Sequence, residues 1–464
     1  MHHLFVILLA VAITTLPLAT VQALTAVRSD GILTLAAGDD RQVDGYLLFD
    51  DHGILTAVAE GAPPAGVTRV IDARGKLVMP GFVSGHNHLW QSAFRGIAAG
   101  EELYGWLQDL HWTYGEHFQD GDMYAFTLHG ALDQLAHGIT TTLNHSQNIA
   151  PTYAHYLEQF EAEMDAGQHF IFSYILDKDA TSPEERKAKL LALMEETEAV
   201  PQPHPCLGFG IHGVGIHRSP ELLAEEAALA KELGFDMQIH YLEEKEQSLK
   251  KGQDDFPGIV EAGALWDGLV YAHFIHVPDA ILQASIEAGA KMIWNPLSNG
   301  RLASGLADIP RYQESGLAVG MGVDGAASAD LADPFQNMRT GMYALRMRDA
   351  EASVMMPRQI LGMHTLDTAR VLEVNDRVGS LEVGKYADFL IIDPSEPATG
   401  PINDPFATLV FSCDSSNIDQ VWVRGELLVV DGKAVHHDPA AIGREVAERV
   451  ARIKTAAEAG AGDS

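Results

Sequence analysis

Eight short apolar runs, each followed by a stretch of helical periodicity, fill the middle of the chain and leave few folds open to it. The runs are VMPGFVSGH, ITTTLNHS, HFIFSYIL, PCLGFGIHG, FDMQIHY, GLVYAHFIH, KMIWNPLSN and LAVGMGVDG. Between them lie patterns such as MYAFTLHGALDQLAHG, YAHYLEQFEAEMDAG and SPELLAEEAALAKELG, with apolar residues three and four apart. Strands that are apolar throughout are strands enclosed on both faces, as in parallel sheets covered by helices. Eight strand–helix units in series predict an α/β fold of the (β/α)₈ barrel type.

The flanks read differently. GILTLAAG, GYLLFD, GILTAVAEG and VTRVIDARGKLV precede the barrel, and DFLIID, LVFSC and QVWVRGELLVVDGKAV follow it. These runs alternate apolar and polar residues between Gly and Asp turns, as half-exposed strands do. Neither set is large enough to be stable alone, so they are expected to combine into one small β-sandwich built from both chain ends. The expected boundaries are 24–75 and 373–440 for that sandwich and 76–372 for the barrel. A C-terminal helix and tail occupy 441–464, with the final TAAEAGAGDS expected to be disordered.

LFVILLAVAITTLPLA opens the chain, and Val21-Gln22-Ala23 places small residues where a signal peptidase cuts. Residues 1–23 are therefore read as a secretory signal peptide, and the protein as periplasmic or secreted. No Lys or Arg precedes the apolar run, so an uncleaved anchor is the alternative. No later stretch is apolar enough to span a membrane. Cys206 and Cys413 are the only cysteines, without the spacing of a disulfide framework or a thiolate metal site; two buried free thiols are expected. With 31 Lys+Arg against 64 Asp+Glu, the net charge is −33. That field repels nucleic acid and favours small neutral or cationic ligands. Association with further copies of the chain is compatible with it.

Active-site residues of such barrels lie at the C-terminal ends of the strands. Those ends carry His86 and His88 on the first run, His145 on the second, His212 on the fourth and His240 on the fifth. The sixth adds His273 and His276, and the eighth adds Asp324. His86 and His88 are two apart, so on a strand their imidazoles share one face. A set of nitrogen and oxygen donors without sulfur suits zinc, with iron, manganese or cobalt as alternatives.

These segments resemble a known family. PGFVSGHNH, HYLE, AHFIH, NPLSNGRLASG, GVDGAASADLADPFQNMR and GSLEVGKYADFLIID occur in the order typical of the amidohydrolase superfamily. The similarity is to its mononuclear branch of cytosine, guanine and adenosine-type deaminases and triazine hydrolases, and it runs from about Gly31 to Val435. The resemblance implies His86, His88, His240 and Asp324 as ligands of one divalent ion, Zn²⁺ or Fe²⁺. It implies Glu243 as proton shuttle and His273 as the residue that orients water and stabilises charge. Two departures stand out. Val323 occupies the position where the family commonly has Thr, and PCLGFGIHG lacks the lysine of binuclear members.

His240 and Glu243 are three residues apart and would face opposite ways on a regular strand. The strand is therefore expected to end near Tyr241, letting Glu243 turn back over the metal to pass a proton from water to the leaving nitrogen. Gln91, Trp90, His212 and Asn299 are the expected substrate contacts, with Trp106, Trp112 and Trp294 as further indole faces. The expected reaction is metal-dependent hydrolysis of a C–N bond other than a peptide bond, most simply deamination of an amino-substituted purine, pyrimidine or triazine. A cyclic-amide hydrolase, or a triazine-type alkylamine or halide hydrolase, would use the same site. A non-catalytic periplasmic metal- or ligand-binding protein is the alternative from another class, and it leaves the proton shuttle unexplained.

Overall fold

The structure, a computed structural model, describes residues 23–146, 153–176, 180, 182–198, 204–213 and 219–461. The proposed signal segment lies outside the described residues but for Ala23. Five strands come first: β1 (Thr25–Leu33), β2 (Gln42–Phe49), β3 (Leu55–Glu60), β4 (Arg69–Asp72) and β5 (Leu77–Pro80). The barrel follows with β6 (Phe82–Asn87), β7 (Ile139–His145), β8 (His169–Ile175) and β9 (Cys206–His212). It continues with β10 (Met237–Tyr241), β11 (Leu269–His273), β12 (Lys291–Trp294) and β13 (Ala318–Met321). The chain returns through β14 (Phe389–Ile392), β15 (Ile418–Val423), β16 (Glu426–Val430) and β17 (Lys433–Ala434).

β6 to β13 form an eight-stranded sheet in sequence order, with every pairing parallel. Its two edges meet just past the strand ends, where Asp324 N donates to His86 O at 3.0 Å and Val323 N to Ser84 Oγ at 3.0 Å. The expected (β/α)₈ barrel is what the chain builds. Inward and outward faces are both buried, which is why the strands read as unbroken apolar runs.

The other nine strands form one sheet ordered β17-β16-β15-β14-β5-β1-β2-β3, with β4 paired to β1. It draws on both ends of the chain, as expected. The sheet turns back on itself, so that Phe49 of β2 meets Phe389 of β14 and Trp422 of β15 at ring-centroid distances of 6.1 and 6.3 Å. One boundary differs from the sequence reading. VMPGFVSGH is not a single strand: Leu77–Pro80 pairs with β1 and β14, and only after Gly81 does the chain enter the barrel. A Cβ at Gly81 would lie 2.1 Å from Thr140 Oγ1, so the crossing between the two sheets admits no side chain there.

A second difference lies at the C-terminus. The stretch expected to be disordered is helical through Ala461, as part of a helix spanning Pro439–Ala461. Alanine-rich sequence favours helix, and tertiary contacts anchor it. Val446 and Ile453 are buried beside Trp90, Phe94 and Phe126, and Arg449 and Arg452 both reach the fully buried carboxylate of Asp122. Cys413 is buried and Cys206 half-buried, and both are free thiols. No helix among the described residues is long and apolar enough to cross a membrane.

Candidate active site

The C-terminal ends of β6, β7, β9, β10 and β11 bring six imidazoles into one buried cluster, those of His86, His88, His145, His212, His240 and His273. Ring centroids are 4.9 Å apart for His86–His88, 4.8 Å for His86–His240 and 5.3 Å for His88–His240. Asp324 closes the group: its Oδ1 lies 3.5 Å from His86 Nε2 and 3.6 Å from His88 Nε2. His88 Nε2 and His240 Nε2 are 3.3 Å apart. The far nitrogens are tied down. His86 Nδ1 meets Gln238 Oε1 at 2.6 Å, and His88 Nδ1 meets the His145 carbonyl at 2.9 Å. Such outer bonds fix tautomer and ring orientation and leave Nε2 as the inward lone pair.

Backbone conformation at these strand ends is unusual. Leu242, His273 and Asp324 all have positive φ, at 54°, 72° and 59°. Non-glycine residues are held in this region only where surrounding structure enforces it. For Leu242 the consequence is direct. β10 ends at Tyr241, the chain reverses through Leu242, and Glu243 is brought back over the imidazoles as its spacing required. Its Oε2 lies 3.5 Å from His273 Nε2, and Ser304 Oγ donates to its Oε1 at 3.3 Å. Asp324 accepts from Ser298 Oγ at 2.5 Å and from Gly325 N at 2.7 Å.

Burial sets the protonation states. It pulls His88 and His273 down to about 3 and His240 well below the usual imidazole range, with the crowded imidazoles adding to it. Burial pushes Glu243 well above the carboxylate range, reinforced by Asp324 and Glu244. For Asp324 burial acts upward too, but the imidazoles around it prevail and hold its carboxyl well below. The result is neutral rings at His88, His240 and His273 beside one carboxylate. His86 Nε2 is buried without a hydrogen-bond partner among the described residues. His86, His88 and Asp324 lie close enough together to hold a metal ion, as do His86, His240 and His273, and as do His145, His212 and His240; such nitrogen and oxygen donors fit a divalent ion. His273 Nε2 also lies near His86 and His240, but its other nitrogen is engaged by Asn299 Nδ2 at 2.7 Å.

A cavity of about 550 Å³ opens over this floor, within the usual range for small-molecule sites. His212 lines it, together with Trp106, Trp112 and Leu302. Not every expected contact does. Trp90 is fully buried against Phe94, His111 and Phe118 and does not line the cavity, because its indole is a packing anchor. Asn299 serves His273 rather than the cavity. Trp294 is fully buried in the barrel core, and His276 is tied to the Ser304 carbonyl at 2.7 Å. Gln91 is fully buried beside Gly325, with neither amide atom paired among the described residues. His145 stands behind the ligands, stacked on His212 at 3.5 Å.

Sequence reasoning passed over Gln238, Ser298, Ser304 and His111. Gln238 had a signal: it lies two before His240, on the same face of β10. Ser298 lies in the short helix Pro296–Arg301 and Ser304 in the loop that follows it, where no periodicity marks either.

Residues 77–428 match the amidohydrolase family. A 5'-deoxyadenosine deaminase of Methanothermobacter thermautotrophicus is 30% identical over 407 residues, covering 86% of this chain and 92% of its own. The fold is shared with an adenosine deaminase from Xanthomonas campestris with bound zinc (TM-score 0.82, 22% identity, 93% of this chain and 98% of the other). It is shared equally with an atrazine chlorohydrolase from Arthrobacter aurescens complexed with zinc (TM-score 0.80, 23% identity, 92% and 100%). The chain therefore belongs to the amidohydrolase family, as a metal-dependent hydrolase of carbon–nitrogen bonds.

Proposed function

We propose that this protein deaminates an amino-substituted heterocycle by hydrolysis, with one divalent ion, zinc or else iron, held by His86, His88, His240 and Asp324. The observation that carries the reading is the convergence of His86, His88, His240, His273, Asp324 and Glu243 at the floor of one cavity. A divalent ion in that position supplies Lewis acidity, which lowers the pKa of water from 15.7 to about 7. Glu243 takes the proton of the attacking water and delivers it to the departing nitrogen, a transfer that general acid–base catalysis accelerates by about 10²–10⁴. Its raised proton affinity suits it to hold the proton between the two steps. With Asn299 Nδ2 donating to His273 Nδ1, the ring proton sits on Nε2, on the side of Glu243. There it stabilises negative charge developing on oxygen.

The substrate is a small planar ring of purine, pyrimidine or triazine type. The indoles of Trp106 and Trp112 in the cavity wall suit a flat ligand. His212, which lines the cavity, is a polar contact for it. An ammonia-release screen of the zinc-loaded protein against aminopurines, aminopyrimidines and aminotriazines tests this. Release of ammonia from at least one class is expected. Release of halide or alkylamine from a triazine, or ring opening without ammonia, would contradict deamination and leave the metal site standing.

Export rests on residues 1–23 alone. Cleavage after Ala23 predicts a native N-terminus at or within two residues of Leu24, and an intact Met1 on N-terminal sequencing would refute it.

A further inference from the structure

The cavity wall formed by Leu103–Trp112 contains a histidine with no part in the reaction described above. His111 lies in a π-helical turn, Gln108–Trp112, a local form that recurs at functional sites. It is 5% exposed and lines the cavity. Its ring sits edge-on between two indoles, 5.3 Å from Trp90 and 5.2 Å from Trp106. The wall is fixed to the loop that carries Asp324, because Trp106 Nε1 donates to Ala327 O at 2.8 Å.

His111 Nε2 is buried without a partner among the described residues. A leucine or phenylalanine would fill the same space without leaving a ring nitrogen unmet, and buried polar groups are normally hydrogen-bonded. Burial lowers its pKa to about 4, so at neutral pH the ring offers one donor and one acceptor. A neutral imidazole between aromatic edges, on the wall above the cavity floor, has the chemistry of a hydrogen-bonding reader.

We infer that His111 reads a second polar edge of the substrate, a ring carbonyl, ring N–H or further exocyclic amine lying away from the amine that is lost. This rests on the deaminase reading and narrows its substrate class. Heterocycles bearing a polar group at that edge are preferred over those bearing only alkyl groups there.

Three matched pairs test it, one per ring class: cytosine with 4-amino-2-methylpyrimidine, 2,6-diaminopurine with 6-amino-2-methylpurine, and melamine with 2-amino-4,6-dimethyl-1,3,5-triazine. Binding to the holoenzyme is followed by quenching of tryptophan fluorescence, and turnover by ammonia release. In at least one pair the polar member should bind about tenfold or more tightly. His111→Leu should bring that pair within about twofold, through KM rather than kcat and with metal content unchanged, and His111→Gln should keep part of the preference. The inference is overturned if wild type shows no preference in any pair, if the preference survives in His111→Leu, or if both members weaken equally. A binding preference without ammonia release would keep the role of His111 and remove deamination. Ammonia release without preference would do the reverse.

Discussion

The interior of the nine-stranded sheet and the mouth of the barrel are equally buried and chemically opposite. In the first, Phe389 and Trp422 stack with ring centroids 5.5 Å apart, with Phe49 against both. Such surfaces stabilise by about 25 cal/mol per Å² removed from water. In the second, the rings are imidazoles, and His86 Nε2 and both nitrogens of His145 lack partners among the described residues. Each buried polar group left unmet costs about 1–3 kcal/mol. The small sheet thus contributes stability, whereas the mouth gives it up to keep lone pairs available for a ligand. The two interiors differ in chemistry, and substitutions in each should fail in different assays.

The largest effect is expected at Glu243. Glu243→Gln keeps size and removes the base, so kcat should fall about 10²–10⁴-fold while metal content and Tm stay near wild type. Glu244→Gln is the comparison; if it loses more activity than Glu243→Gln, the assignment of the shuttle is wrong. The opposite profile belongs to the sheet. Phe389→Ala empties a fully buried site and should cost about 3–5 kcal/mol in denaturant unfolding, with metal affinity of the folded fraction unchanged. Lost metal binding in folded Phe389→Ala would show that the two interiors are coupled.

A smaller effect is expected at Asn299. Asn299→Ala frees the His273 ring and should lower kcat about tenfold, as loss of outer-shell partners commonly does. An increase in KM alone would mean that Asn299 touches substrate instead. The smallest effect lies at the far end of the barrel, where Asp236 precedes β10. Burial raises its pKa to about 6, against the pull of Lys291 3.4 Å away. The folded state then holds this proton more tightly than the unfolded chain, so the contribution of Asp236 to stability falls as pH rises from about 4 to about 6. In Asp236→Asn the Tm should decline less over that interval, and an unchanged pH profile would refute the shift.

Much of this was legible in the sequence, for reasons that particular residues make plain. The barrel could be read because its strands are enclosed on both sides. The clustering of these side chains could be read because His86 and His88 share a strand face and the remaining motifs fall in order. Glu243 could be placed because its spacing from His240 demands a reversal, which Leu242 supplies. What stayed hidden depends on contacts between distant segments. The split of VMPGFVSGH between two sheets follows from the close approach of Gly81 to Thr140, and the helical tail from its docking on Asp122. Trp90 and His111, one packed away and the other on the cavity wall, look alike in the sequence between β6 and β7. Only tertiary packing tells them apart.

Elemental analysis of the purified protein, beside His88→Ala prepared in the same way, tests the account most directly. Wild type should carry close to one transition-metal ion per chain. His88→Ala should lose most of it and remain folded, since three of the four ligands and the whole small sheet are intact. No metal in wild type, two ions per chain, or full occupancy in His88→Ala would each contradict a single ion held by His86, His88, His240 and Asp324.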